Sequence, residues 1–180
     1  MTDTPYPNGT VVPFTGRWHV IRGIDLAPLI ARHAQVARLC DRLEACADRL
    51  PVWPIEPDVE HLCRELDDLI DREEVSDGVF VAELFGSEAR DPLTSGLLRQ
   101  IDAWQIANLI HAQDVVSTLR SGSARDGTSP ETLSYMLRCF FMARRQTLAF
   151  EELAILQLGQ HRLAEDGRAM LVDSLRRLSA

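Results

Sequence analysis

Four long stretches of this chain repeat apolar residues at alternating spacings of three and four, and no segment alternates convincingly every second residue. That period belongs to a helix with one apolar face and leaves little room for a sheet. The stretches are separated by "PVWPIEP" (51–57), "GSEARDPLTSG" (86–96) and "SGSARDGTSP" (121–130), clusters of residues that end helices. The spacing predicts helices near 25–49, 57–84, 95–120 and 130–158, with a shorter one near 165–178 after Gly159. Asp25 and Ser129 are placed to cap the first and fourth, and Pro130 suits a first helical position. The expected fold is all-α, an antiparallel up-down four-helix bundle with an additional C-terminal helix. Residues 1–24 carry Pro5, Pro7, Gly9, Pro13, Gly16 and Gly23 and read as an irregular arm, leaving 25–180 as the bundle domain.

A chain of 180 residues can bury one sizeable core. Its formal charge of -8 argues against a nucleic-acid or anionic-membrane partner, and no apolar run is long enough to span a bilayer. Every basic residue is Arg, so lysine chemistry is excluded. Cys40, Cys46, Cys63 and Cys139 form no Cys-x-x-Cys pair and sit in apolar helical patterns. With no apolar leader visible, they read as free thiols of a cytoplasmic protein.

Each predicted apolar stripe is interrupted by polar residues. Helix one runs Leu26, Leu29, Ile30, His33, Val36, Cys40 and Leu43. Helix two carries Glu73 and Asp77 among Leu66, Leu69, Ile70, Phe80 and Val81. Helix three carries Asn108 and His111 between Ile101, Trp104, Val115 and Leu119. Helix four runs Leu133, Leu137, Phe140 and Thr147 into "LAFEELAIL" (148–156), where Glu151 and Glu152 lie between apolar residues on both sides. His33 is early in its helix, whereas Glu73, Asp77 and the two glutamates are late in theirs. Antiparallel helices bring such positions to one level, and histidines with carboxylates on facing helices are how bundles build metal sites.

The order of these residues resembles the hemerythrin-like (HHE cation-binding) family. His33 stands at the family's first histidine. "EEVSD" (73–77) stands at its His-x-x-x-Glu motif, with Glu73 in place of His and Asp77 at the Glu. His111 stands at the helix-three histidine, and Val115 at the optional second one. "TLAFEELAIL" (147–156) matches His-x-x-x-Glu-Glu, with Thr147 in place of His. The tail "HRLAEDGRAMLVDSLRRL" (161–178) is similar to the extra helix of bacterial members.

The resemblance implies a metal site of His33, Glu73, Asp77, His111 and Glu152, with Glu152 preferred to Glu151 as the inward carboxylate. Periodicity alone leaves that choice open, and Glu151 reads as a surface residue or a partner of Arg144 or Arg145. So carboxylate-rich a set suits non-haem iron, with manganese as an alternative. The implied partners are a metal ion and dioxygen or nitric oxide, in oxygen, iron or redox handling or sensing. Open metal positions would permit oxidase or peroxide chemistry; no nucleophile triad, phosphate loop or cysteine centre suggests another enzyme.

The other reading is a metal-free bundle serving as a scaffold or regulatory interaction module, its core held by a His–carboxylate network. Missing ligands at Thr147 and Val115 favour it. Two further points bear on the site. His61-x-x-x-Glu65 also has the family spacing, but lies at the start of its helix, about 18 Å along the bundle from His33. Ser76, Asp77 and Gly78 are poor helix-interior residues and could end helix two before the site.

Overall fold

The computed structural model describes residues 20–85, 91–125 and 128–178; for 73–79, 82 and 122–125 it describes the backbone alone. Among the described residues there are five α-helices and no strand: α1 (Gly23–Arg49), α2 (Glu56–Phe85), α3 (Pro92–Arg125), α4 (Pro130–Leu158) and α5 (Glu165–Leu178). The molecule is an all-α helical bundle, as the spacing predicts.

Two helices start earlier than the spacing predicts. α1 begins two residues early, so Asp25 is not its N-cap. Asp25 sits at the third helical position and its Oδ2 accepts from the Arg22 N–H at 2.9 Å. α3 begins at Pro92 because Asp91 caps it: Oδ2 accepts from the Thr94 N–H at 2.8 Å and from its hydroxyl at 3.1 Å. Those bonds hold the Asp91 carboxyl below the usual range. Ser129 does cap α4, accepting from the Thr132 N–H at 3.2 Å, with Pro130 first in the helix. α2 runs unbroken through Ser76, Asp77 and Gly78.

Facing pairs show how the helices run. Between α1 and α4, Asp48 meets Arg138, Asp41 meets Arg145 and His33 meets Glu152, so numbers rise on one helix as they fall on the other. Arg42–Glu65 and Gln35–Arg72 do the same for α1 and α2. So do Thr118–Met136 and Asn108–Thr147 for α3 and α4. α5 packs on α1 and α4. Its start is tied to the chain before α1 by an isolated bridge in which the Ala164 N–H donates to the Ile21 carbonyl at 2.9 Å. Gly167 permits that approach, since a Cβ there would lie 3.1 Å from the Ile21 oxygen.

The core is in two parts. One cluster gathers Leu43, Leu66, Leu119, Leu133, Leu137 and Phe140; the other gathers Leu26, Leu29, Phe85, Ile101, Ile155 and Leu171. Side chains such as these contribute roughly 1.5–3 kcal/mol each on burial, before the entropy of ordering them is counted. Along α1 the clusters are separated by His33, along α3 by Asn108, and along α4 by Glu151 and Glu152, with Thr147 and Arg144 one and two turns before them among first-cluster residues; all are buried. A polar belt therefore crosses the bundle at one level.

Candidate functional site

The centre of the belt is His33, 2% exposed. Its Nδ1 lies 2.8 Å from Oε1 of Glu152, and its Nε2 lies 3.2 Å from Oε2 of Glu151. Glu151 is 3% exposed and Glu152 wholly buried. Successive residues point about 100° apart around a helix, so both can be buried only if α4 is covered over a wide arc. It is, because α1, α3 and α5 all pack against it. α3 reaches Glu151 through Gln105, whose Nε2 donates to Oε1 at 3.0 Å. α5 reaches Glu152 through Ser174, whose hydroxyl donates to Oε1 at 2.8 Å. In the same belt, Asn108 Nδ2 donates to Thr147 Oγ1 at 2.8 Å, and that hydroxyl donates to the Ala143 carbonyl at 3.0 Å.

An ionised carboxylate only accepts hydrogen bonds, so a ring with carboxylates at both nitrogens must donate from both. With both carboxylates ionised, His33 is an imidazolium between them. Burial pulls its pKa down, but the hydrogen bonds and negative charges of Glu151 and Glu152 outweigh that, and the net shift is upward. Burial pushes Glu151 up, while His33, Arg144 and Gln105 hold it down, and the net shift is downward. Arg144, 2% exposed, is drawn below its usual value by burial, with the charge of Glu151 opposing. Two cations and two anions thus compensate one another away from water.

The signs fix a pH dependence. A raised His33 pKa contributes stability in full below the unfolded value of 6.5, lost as pH rises through the folded value. A lowered Glu151 pKa contributes above 4.5 and is lost as pH falls through the folded value. Between these limits the belt contributes most. In urea melts, stability should decline from pH 6.5 upward, and His33→Gln should flatten that limb. An equal decline in His33→Gln would remove the assignment.

Of the predicted site residues, the structure brings His33 and Glu152 together. It does not bring His111 to them: His111 is solvent-exposed. From buried Asn108, both His111 and Ala112 are one turn on, and Ala112 takes the inward place. The side chains of Glu73 and Asp77 lie outside the described residues, though their helix is continuous. Val115 is plain core. Glu151 is buried rather than a surface residue. His61 is exposed, 3.7 Å from Glu65 in its own helix. Arg144, one of the two arginines that the sequence offers to Glu151, is buried and its charge acts on Glu151. Ser174 carried no such signal. The four cysteines are free, and burial raises the Cys40 thiol to about 11, which leaves it unreactive.

A ligating histidine offers one nitrogen's lone pair to the ion and donates from the other. His33 meets a carboxylate at each nitrogen, and Arg144 places a second positive charge near Glu151. Among the described residues no group of three or more His, Cys, Asp or Glu is arranged to hold a metal ion. As placed, His33 leaves no ring nitrogen free for an ion, while the side chains of Glu73 and Asp77, the other predicted carboxylates, lie outside the described residues. One atom runs the other way: Oε2 of Glu152 is buried with no hydrogen-bond partner among the described residues.

Comparisons with protein-family models, with curated proteins and with solved structures give no match. Fold and site together define an all-α bundle with a sealed histidine–dicarboxylate belt. Among the described residues no helix is long and apolar enough to cross a membrane.

Proposed function

We propose that this chain is a metal-independent helical module that acts through its surface as a scaffold or regulatory binding domain. The buried belt, on this reading, fixes one packing of the helices. The observation that carries it is the engagement of both His33 nitrogens by carboxylates. Burial supports it too, because a substrate would need a path to groups that are at most 3% exposed. A buried ion network that specifies packing is known in some bundles; here Ser174 and Gln105 tie the glutamates to α5 and α3, so a slipped helix would leave carboxylates unpaired.

The hemerythrin-like reading, with iron or manganese held by the belt, is the second proposal. Its support is the buried, unpartnered Glu152 Oε2 together with the order of His33 and Glu152 in sequence. Elemental analysis separates the two. Protein purified without added metal, and again after loading with ferrous and manganous ions, should hold only substoichiometric metal. One ion per chain that is lost in Glu152→Ala would overturn the first proposal in favour of the second.

A further inference from the structure

We infer that the cleft between α1 and α2 binds a small organic anion, a phosphate or carboxylate carried on an apolar body. This site is separate from the buried belt and does not depend on the reading given to it.

The cleft has a volume of about 280 Å³. Among the described residues that line it are four arginines, Arg32, Arg38, Arg42 and Arg72, against two carboxylates, Glu65 and Asp68. Among the described lining residues arginines thus outnumber carboxylates by two, in a chain whose formal charge is -8. Chance placement in so acidic a protein would favour the opposite sign. The arginines come from two helices and converge because α1 and α2 run antiparallel, with Arg42 level with Glu65 and Gln35 level with Arg72.

Their partners divide them into two kinds. Arg42 is committed: its Nε donates to Glu65 Oε2 at 2.9 Å and its Nη2 to the other carboxylate oxygen. That fork holds the lower wall in place. Arg72 donates at 3.3 Å to Gln35, a neutral group, and has no carboxylate ion pair among the described residues. Arg38 is exposed and has no carboxylate partner among the described residues. Arg38 and Arg72 are thus cationic forks available to a planar or tetrahedral anion, which guanidinium recognises in pairs of hydrogen bonds. Beneath them Val36, Leu39 and Leu69 give the cleft an apolar floor. Concave shape, apolar floor and a few placed charges are the features of a small-molecule site. A flat anionic bilayer fits less well, since the remainder of the chain would repel it.

The test titrates octyl phosphate, inorganic phosphate and octylammonium into the full chain by calorimetry. Octyl phosphate should bind saturably, about tenfold or more tighter than inorganic phosphate, because each buried methylene adds to affinity. Octylammonium should not bind. The double variant Arg38→Glu/Arg72→Glu should lose octyl phosphate binding by about a hundredfold and keep the wild-type helical signal, as both residues are exposed. Arg120→Glu, on α3 and outside the cleft, should bind as the wild type does. Undiminished binding in the double variant, equal binding of octylammonium, or no saturable binding of octyl phosphate would each overturn the proposal. Anionic vesicles that cosediment the protein and outcompete octyl phosphate would overturn a free small molecule as the ligand. None of these readouts involves metal content or His33, so this inference and the reading of the belt fail separately.

Discussion

Glu152→Ala should destabilise the bundle by about 3–5 kcal/mol, the usual cost of removing one partner from a buried ion pair. The variant leaves the His33 imidazolium with one carboxylate and the Ser174 hydroxyl without its acceptor. At roughly 2–4 °C per kcal/mol for a chain of this size, the melting temperature should fall on the order of 10 °C. His33→Ala should cost as much, because it leaves Glu151 and Glu152 facing one another without the cation between them. Replacing all four together, His33→Leu and Arg144→Met with Glu151→Leu and Glu152→Met, should be nearly neutral or stabilising, since no charge of the belt is then left to desolvate. A metal-held belt responds differently. Binding to the folded state alone stabilises by RT ln(1 + [L]/Kd), about 2.7 kcal/mol at a hundredfold excess, so chelator would lower the melting temperature of the wild type and not of Glu152→Ala. A chelator-independent melt in both proteins is the expected result.

Neighbouring arginines on α4 should behave oppositely. Arg144 is 2% exposed and acts on Glu151 in the belt. Arg144→Ala should cost about 3–5 kcal/mol, through a lost buried cation and the space its side chain leaves. Arg145 makes two ion pairs, each 2.7 Å long, with Asp41 and Glu44, yet its side chain is 27% exposed and its partners more so. Such pairs contribute about 0–1 kcal/mol after solvent screening, so Arg145→Ala should stay within that range. Denaturant melts of the two variants measure the contrast directly. Equal effects would mean that the belt is not the costly region its burial indicates.

The helices were legible because the 3.6-residue period and the proline and glycine breaks agree over long stretches. Their starts were less so. Asp91 and Asp25 are both plausible caps, and only the chain's path decides that Asp91 caps α3 whereas Asp25 reaches back from inside α1. The belt was half legible. His33 and the glutamates interrupt stripes that are otherwise apolar, and an interruption that survives in a core is a polar group with a partner. What periodicity lacks is the resolution to choose between positions one residue apart. It placed His111 inside where Ala112 lies. It also asked which of Glu151 and Glu152 points inward, when α5 makes room for both. That answer depends on a fifth helix covering α4, and no local pattern in "LAFEELAIL" records it.

The central claim is that His33 is an imidazolium donating to two carboxylates. Nitrogen-15 NMR of histidine-labelled protein at pH 7, with His33→Gln to assign the ring, tests it most directly. The account predicts that His33 shows two protonated ring nitrogens with slowly exchanging protons, unchanged by chelator or by added ferrous ion. A ring with one unprotonated nitrogen, or His33 signals broadened away by substoichiometric ferrous ion, would contradict it.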